Sequence, residues 1–491
     1  MNLIKANFLW ITLLVVGCSQ TNSLSKEEAQ INNIEKLKAV AESYGDRLAF
    51  SGNILIGQGD EIVYHGSFGY ANLEGSIPNN GNTIFRTASI SKQLTACALL
   101  ALEQQKRIDL DEPIATYLPG IDTKWSNRIT IHHLLSHSSG LGRDIESLSS
   151  KQLGGNYISV DELVSIIGDS DLLFEPGAKW SYSNLGYTLA AKIIENVTNQ
   201  SFGIAMKELV FDPIGMQNTS HEISTHSYEN KAQGLISLPE QTIDAKYEDK
   251  SYVVGAGSIQ STTKDLFLWA RQVLSGSYLN EKSRSELFEI QQGKYSYGWF
   301  IANYVWPVDD GIQEGLNLHH DGGSPGFSSK ISLLKEHDIV VIILSNKLPS
   351  PIGELANKLT NMSVGFDDEP LAKMDGSEAF FRILFDKGVE GADSLAAEWK
   401  EIKADIRTPS KSDILLIGRG YLDNKEYEKA SKVMDYLIQT YPKWTYPPLF
   451  KGIAMEEQGR TEEAISLYEQ VLKINPKQSN ALNRLKMLKA Q

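Results

Sequence analysis

The chain has 491 residues, of which 41% are hydrophobic and 22% charged, and its formal net charge at neutral pH is −14. This composition is typical of a globular protein, and the length suggests about three folding units. The acidic balance argues against a nucleic-acid-binding protein, because contacts with phosphate groups require lysine and arginine. Acidic solvated surfaces are common, so the charge indicates no other class of partner.

The N-terminus has the pattern of an export signal. An early cation, Lys5, precedes an apolar run over 8–16 that is too short to span a bilayer as a helix. The run ends in "LVVGCSQTNS", where Gly17 and Cys18 resemble a bacterial lipobox. That resemblance implies a signal peptide over 1–18, lipid modification at Cys18, and a protein of the bacterial cell envelope that is held to a membrane by its lipid anchor alone. The alternative is an ordinary secretory signal with an incidental cysteine.

The following segments predict a mixed α and β domain over 34–365. After a polar tether over 19–33, apolar residues at helical spacing predict a helix over 34–44. Two β-branched runs around a glycine-rich turn in "GNILIGQGDEIVYHGSFGYA" predict a hairpin. A mainly helical middle follows, and strands return in "YGWFIANYVW", "SSKISLL" and "HDIVVIILSNK". This order indicates an α+β fold whose first and last strands share one antiparallel sheet.

Cys97 is the only cysteine besides Cys18. A lone cysteine cannot form an intramolecular disulfide, so the exported part must be held together by packing. Cys97 lies in the apolar run "LTACALLALEQQ", which predicts a buried core residue rather than a nucleophile.

A repeat of 34 residues follows a turn-rich boundary near 365–376. One copy begins at Leu415 and the next at Leu449, and this offset aligns three pairs of small or proline residues: Gly418 with Gly452, Ala430 with Ala464, and Pro442 with Pro476. The period and the positions of its small residues are the tetratricopeptide signature. With a degenerate first copy around Ala396 and a closing helix over 480–490, the pattern predicts an all-α tetratricopeptide-like array over 376–491. Such arrays bind proteins or peptides, so a protein partner is expected there; the alternative is two unrelated helical hairpins.

A candidate nucleophile lies in "FRTASISKQLTA", at the start of a helix predicted to run to Gln105. A serine hydroxyl needs a base within hydrogen-bonding reach, and the i, i+3 spacing puts Ser89 and Lys92 on one helix face. Free N–H groups at the helix N-terminus favour developing negative charge. Ser91 does not fit, because it adjoins Lys92 in sequence and points to another face. Alone, this pattern often occurs by chance.

Two further motifs supply partners. In "FEPGAKWSYSNLGYTLAAKIIE", Tyr182 precedes an apolar helical run, and a tyrosine beside a cation can act as a general base. In "LNLHHDGGSPGFSSKISLL", the histidines and glycines precede a strand, and glycine permits close approach of backbone to a ligand. For the first motif, the structural alternative is that Tyr182 is a loop aromatic residue that covers a core. For the second, it is a simple glycine-rich turn.

Together and in this order, the three motifs resemble the serine β-lactamase and penicillin-binding protein family. The resemblance covers about 34–346 and is greatest to the branch with class C β-lactamases, D-Ala-D-Ala carboxypeptidases, D-aminopeptidases and related esterases. It implies an acyl-enzyme on Ser89, with Lys92 taking the serine proton and Tyr182 relaying it to the leaving group. The chemistry needs no cofactor, and the implied substrate-binding residues are Asn184, His320, Gly322 and Gly323.

In this resemblance, Asn184 contacts the substrate amide and the lysine, and Gly323 supplies the second oxyanion N–H beside that of Ser89. The third motif departs from the lactamase pattern, because His320 and Asp321 stand where lactamases generally have a lysine and a hydroxyl. Histidine is mostly neutral at pH 7 and Asp321 adds a negative charge, which weakens the case for β-lactam turnover. The resemblance then favours a small ester or amide, or a cell-wall-derived peptide, as the substrate.

The sequence also bears on two other functions, metal binding and ligand binding without catalysis. His132, His133 and His137 form a cluster in sequence, but there is no H-E-x-x-H motif and adjacent histidines diverge on a helix, so a metal site is not predicted. A ligand-binding protein of the cell envelope, acting through the array with little or no catalysis, is the alternative to the hydrolase. The complete set of Ser89, Lys92 and Tyr182 argues against it.

Overall fold

The protein is described by a computed structural model that covers residues 26–121, 123–144, 157–222, 230–245, 249–308, 311–366, 371–402 and 405–490. The predicted signal peptide, with Cys18, and the first part of the predicted tether lie outside these residues. Within the described ranges, no helix combines the length and the apolar character needed to cross a bilayer.

The strands, in chain order, are β1 (Gly52–Gln58), β2 (Glu61–Phe68), β3 (Phe85–Arg86), β4 (Ser220–His221), β5 (Leu235–Ser237), β6 (Thr242–Asp244), β7 (Ile259–Ser261), β8 (Phe300–Val308), β9 (Gly311–Ser324), β10 (Phe327–Leu334), β11 (Ile339–Ser345), β12 (Lys347–Leu348), β13 (Met374–Asp375) and β14 (Ile406–Arg407). Six of them form the central antiparallel sheet, in the order β2-β1-β11-β10-β9-β8. The first strand pairs with β11 from Gly52 opposite Ser345 to Gln58 opposite Ile339. The prediction that the N-terminal and C-terminal strands share one sheet is therefore confirmed.

The helices of this domain are α1 (Lys26–Leu48), α2 (Ser91–Gln104), α3 (Ile131–Leu135), α4 (Val160–Gly168), α5 (Asn184–Thr198), α6 (Phe202–Met206), α7 (Asp212–Ile214), α8 (Thr263–Leu274), α9 (Glu281–Glu286) and α10 (Ile352–Ser363). Short 3₁₀ turns cover Ala88–Ile90, Ile114–Thr116, Ser251–Val253 and Lys335–His337, and a π-helical turn covers Lys207–Phe211. The first helix begins at Lys26 rather than at residue 34, so part of the predicted tether is helical.

Both faces of the sheet are buried, in two separate hydrophobic clusters. Along β1, Leu55 faces the larger cluster, which contains α2 and α5, whereas Ile54 and Ile56 face the smaller one, which contains α1 and α10. This alternation follows from the two-residue period of a strand. Cys97 is fully buried in the larger cluster, as its apolar surroundings predict.

The C-terminal part is a run of helices, here called the helical array: α11 (Ser377–Glu401), α12 (Lys411–Asp423), α13 (Tyr427–Thr440), α14 (Tyr446–Glu457), α15 (Thr461–Ile474) and α16 (Ser479–Lys489). The first of these breaks at Gly388, where φ is +72°. The aligned glycines lie at helix crossings: a Cβ on Gly418 would meet Met434 at 2.7 Å, and one on Gly452 would meet Tyr468 at 2.5 Å. The predicted α+β domain followed by an all-α array is thus the observed architecture.

Candidate active site

Ser89 lies in the 3₁₀ turn Ala88–Ile90, immediately before α2, and its side chain is half-buried. The preceding residue, Ala88, has a φ of +47°, a left-handed conformation that is unfavourable for a residue with a Cβ. The surrounding structure therefore fixes a strained backbone directly before the candidate nucleophile. The alternative serine, Ser91, is buried and its Oγ accepts a hydrogen bond from the backbone N–H of Ile259 at 3.0 Å.

A buried ion pair holds the strand that leads to this turn. Arg86 in β3 donates to Glu222 from Nε at 3.1 Å and from Nη2 at 2.7 Å, and both side chains are almost fully buried. Although burial alone would raise the pKa of Glu222, the charge of Arg86 brings it below its usual value. The next residue, Thr87, donates from Oγ1 to the carbonyl of Ile259 at 2.8 Å. Two independent contacts thus anchor the backbone just before Ser89.

Lys92 is fully buried, and its Nζ lies 3.2 Å from Ser89 Oγ and 2.7 Å from the carbonyl oxygen of Ala256. Ser89 in the 3₁₀ turn and Lys92 in the first turn of α2 are three positions apart, a spacing that places the two side chains on one side of the helical segment. Burial lowers the pKa of Lys92 well below the usual value for lysine, and it outweighs the opposing effect of Asp144. The amine is therefore uncharged over a range of pH in which a solvated lysine is cationic, so its nitrogen can accept a proton.

Tyr182 is held in place by the start of the next helix. Ser183 is the N-cap of α5, and its Oγ accepts a hydrogen bond from the N–H of Gly186 at 3.0 Å. The Tyr182 ring centroid lies 4.7 Å from Lys92 Nζ. Burial raises the pKa of Tyr182 to about 12, partly opposed by a hydrogen bond with Ser89. At neutral pH, Tyr182 is thus a protonated phenol, and it lies beside an amine whose pKa is depressed by burial.

His137 packs against the Tyr182 ring and binds the backbone next to it, a role that the sequence did not predict. Its Nδ1 accepts the backbone N–H of Ser183 at 3.1 Å, and its ring centroid lies 4.3 Å from that of Tyr182. The side chain is fully buried, and burial lowers its pKa well below the usual value. Its φ of +59° is a second left-handed backbone in the site. The contact joins residues 46 positions apart, so no local pattern indicates it.

The other two histidines of the sequence cluster point elsewhere. His132 Nδ1 lies 2.7 Å from the hydroxyl of Tyr297, and His133 Nδ1 accepts the N–H of Thr130 at 3.1 Å in a capping box. Within the described ranges, no group of three potential metal ligands occurs.

Asn184 differs from its expected contacts. Its side-chain amide donates to Asp144 Oδ1 at 2.7 Å, and its backbone N–H donates to the carbonyl of Arg143 at 2.8 Å. The hydrogen-bonding partners of Lys92 are Ser89 and Ala256 rather than this asparagine. Asn184 therefore anchors the segment that carries Arg143, whose guanidinium lies 5.3 Å from the ring centroid of Tyr182.

The third motif lies on the last five residues of β9, which extend beyond its neighbour. The pairing of β8 with β9 ends where Phe300 faces His319, so within the described ranges residues 320–324 pair only with β10. His320 is buried, and its Nδ1 lies 2.7 Å from the carbonyl oxygen of Asp321. A carbonyl only accepts, so Nδ1 carries the proton and Nε2 accepts from the Tyr295 hydroxyl at 3.2 Å. Burial lowers the pKa of His320 to about 3, so this imidazole is neutral.

The two glycines of the motif have different surroundings. A Cβ on Gly322 would lie 2.2 Å from Ser329 Oγ and 2.3 Å from the carbonyl oxygen of Thr87, whereas a Cβ on Gly323 would meet nothing within 4 Å. Gly322 therefore allows β9 to approach the backbone that precedes Ser89. The space beside Gly323 is open, so a side chain there would meet no other group.

Lys330 is a further charged residue of the site, and the sequence pattern did not predict a role for it. It faces Asp321 across β9 and β10, with Nζ 2.7 Å from Asp321 Oδ1. The Lys330 side chain is 10% exposed, whereas that of Asp321 is 64% exposed. The pair is neutral overall and presents its carboxylate to solvent. Only the cross-strand register, which the sequence leaves open, brings the two together.

We predict that Gly322→Ala lowers the stability of the protein, because its Cβ would overlap the backbone carbonyl of Thr87, which cannot move cheaply. The free energy of unfolding should fall by roughly 1–3 kcal/mol, as for other overpacked sites. Gly323→Ala is the matched control, because its Cβ enters open space. Urea unfolding of both variants measures the effect, and equal stabilities of the two would contradict the described approach of β9 to Thr87.

Known proteins share the fold and part of the sequence of this chain. A penicillin-binding protein of Bacillus subtilis (strain 168) is 30% identical over 338 residues, covering 64% of this chain and 72% of the relative. A penicillin-binding protein from Bacillus halodurans has the same fold, with a TM-score of 0.56 and 23% identity over 65% of this chain and 98% of that one. D-amino acid amidase from Ochrobactrum anthropi SV3 also shares it, with a TM-score of 0.56 and 21% identity over 67% of this chain and 98% of that one.

The profile of the Beta-lactamase family matches residues 37–361. This match spans more than half of the chain, and it includes Ser89, Tyr182 and residues 320–324 of β9. By this match, the chain belongs to the Beta-lactamase family.

Proposed function

We propose that the protein is a serine hydrolase that cleaves a small ester or amide through an acyl-enzyme on Ser89. The observation that carries this proposal is the fully buried Lys92, whose Nζ lies 3.2 Å from Ser89 Oγ. An amine kept uncharged by burial is a competent base for a serine hydroxyl. The D-amino acid amidase of the same fold is consistent with this reaction class.

In the first step, Ser89 Oγ attacks the carbonyl carbon of the substrate, and its proton passes to Lys92 Nζ. The negative charge then forms on the carbonyl oxygen, which we assign to the backbone N–H groups of Ser89 and Gly323. Collapse of this intermediate breaks the bond to the leaving group, which receives the Tyr182 hydroxyl proton. Lys92 returns its proton to Tyr182, and the acyl group remains on Ser89.

Water releases the acyl group by the same steps in reverse. The Lys92–Tyr182 pair removes a proton from water as its oxygen attacks the ester carbonyl, and Ser89 regains that proton on leaving. Because the pKa of Tyr182 is raised to about 12 and that of Lys92 is depressed, the amine is the initial base and the phenol the initial acid. This division of roles follows from burial of both groups.

The charges beside Ser89 favour a substrate without a carboxylate near the scissile bond. His320 is neutral, and Lys330 is already paired with Asp321, so the third motif offers no net positive charge. The exposed Asp321 carboxylate would repel a substrate carboxylate at this position. We therefore infer a neutral or cationic ester or amide, rather than a β-lactam or a peptide with a free C-terminal carboxylate.

A fluorophosphonate probe tests the nucleophile and the base together. We expect one covalent adduct on Ser89, formed with loss of fluoride, and a labelling rate at least about 100-fold lower in Lys92→Met. The rate in the wild type should fall as the pH drops through the depressed pKa of Lys92, because the protonated amine cannot accept the serine proton. Mass spectrometry locates the adduct. Equal labelling of Ser89→Ala, or an unlabelled wild type, would contradict the proposal.

A change of charge tests the substrate class. Asp321→Asn leaves Lys330 without its counter-ion, so kcat/KM for a carboxylate-bearing chromogenic cephalosporin should rise about fivefold relative to that for a neutral p-nitrophenyl ester. Asp212→Asn is the matched control, because it removes an exposed carboxylate that pairs with Lys207 rather than with a residue of the site. A ratio that is unchanged in Asp321→Asn, or that rises as much in the control, would show that Asp321 does not select substrates.

We also propose that the enzyme works at the bacterial cell envelope, tethered by lipid on Cys18. Support comes from the signal-like run and the lipobox-like "LVVGCSQTNS". Expressed in a bacterium fed labelled palmitate, the full chain should incorporate label into the membrane fraction, and Cys18→Ser should lose it. If Cys18→Ser retains the label, or if the wild type incorporates none, lipid modification at Cys18 is contradicted.

A further inference from the structure

A short hairpin lies between the helical array and the catalytic sheet. It covers residues 234–245 with strands β5 and β6 and is here called the bridging hairpin. Its Ile236, Leu238 and Ala245 are buried in one hydrophobic cluster with array residues that include Phe380 and Tyr421. The core of the array thus continues into the N-terminal domain through this hairpin.

On the array side, the contact depends on a glycine. A Cβ on Gly420 in α12 would lie 2.8 Å from both Ile236 Cγ2 and Leu238 Cδ2. At the corresponding position 34 residues later the array has Ala454, which is buried within the array. Glycine in a helix costs about 0.5–1 kcal/mol relative to alanine, so helix stability does not explain Gly420. The close approach of the bridging hairpin explains why position 420 is a glycine.

Polar contacts fix the tip of the same hairpin to the array. The Tyr421 hydroxyl donates to Glu240 Oε2 at 2.7 Å, and Lys429 Nζ donates to Glu240 Oε1 at 3.1 Å. The hairpin is therefore attached to the array both by apolar packing and by a two-donor contact on one carboxylate.

On the catalytic side, the bridging hairpin touches the turn that joins β9 to β10. Gly326 in this turn has a φ of +73°, and a Cβ on it would lie 2.4 Å from Gly234 Cα. A Cβ on Gly234 would lie 2.8 Å from the carbonyl oxygen of Pro325. Backbone packs directly on backbone here, so a shift of the hairpin must displace the turn. Gly323, the proposed oxyanion donor, lies near the end of β9, three residues before Gly326 of this turn.

We propose that the helical array positions the oxyanion edge of the active site, acting through α12, the bridging hairpin and the β9–β10 turn. The array is then part of the catalytic apparatus, and whatever moves α12 changes turnover. Gly420, Ile236 and Leu238 act as positioning residues, since they affect the substrate only through Gly326 and Gly323. This inference rests on the proposed hydrolase function.

The test compares Gly420→Leu with Gly452→Leu in the full chain. A Cβ on Gly452 would meet the Tyr468 ring at 2.5 Å within the array, so this control strains the array without touching the bridging hairpin. We expect Gly420→Leu to lower kcat for a p-nitrophenyl ester at least tenfold with KM within about threefold. Amide hydrogen exchange at 322–326 should accelerate in the same variant. The control should keep kcat and the exchange rates of the wild type.

Two outcomes would overturn the inference. One is that Gly420→Leu keeps the kcat and the amide exchange rates of the wild type. The other is that both variants lose kcat equally, which would reflect general destabilisation. If Gly420→Leu does not fold, Gly420→Ala and Gly452→Ala repeat the comparison, because the Cβ at position 420 meets only side-chain tips. Fluorophosphonate labelling of Ser89 separates the two proposals. If the wild type is not labelled, the hydrolase proposal fails, and hydrogen exchange at 322–326 still decides whether the array holds this turn.

Discussion

A lysine amine kept out of water is the constraint on which the site depends. Lys92 has 0% exposure, and its Nζ is enclosed by Ser89 Oγ, the carbonyl oxygen of Ala256 and the Tyr182 ring. An ammonium ion in this position would lose most of its hydration, so the packing around α2 determines its protonation state. The large hydrophobic cluster therefore does more than stabilise the fold, since it also sets the chemistry of the amine.

The reacting groups come from three distant parts of the chain, and buried contacts hold each part in place. The Arg86–Glu222 pair fixes the approach to Ser89, His137 fixes the backbone beside Tyr182, and Gly322 brings β9 close to Thr87. Ala88, next to Ser89, and His137, which packs against the Tyr182 ring, both have left-handed backbone conformations. Such strain persists only where surrounding contacts outweigh it, as is common at functional sites.

Local patterns predicted what depends on local physics. Two β-branched runs around a glycine-rich turn predicted the hairpin, the i, i+3 spacing predicted that Ser89 and Lys92 share a helix face, and the 34-residue period predicted the helices of the array. The sequence did not predict the contact of Lys330 with Asp321 or the role of His137, because strand register and tertiary packing create both. Asn184 contacts Asp144, 40 positions earlier in the chain, through tertiary packing that no motif encodes. The first helix starts early, at Lys26, in a polar segment without an apolar period.

The unpaired edge of β9 has a consequence for association between molecules. A strand edge that is open to a substrate is equally open to an extended segment of another protein molecule. Here the edge is only residues 320–324, it bears the charged and exposed Asp321, and it ends at Pro325, which has no N–H to donate. Short length, an exposed charge and proline are the features by which sheet proteins avoid edge-to-edge aggregation. The carboxylate of Asp321 thus disfavours the addition of a strand from another molecule at this short stretch of β9.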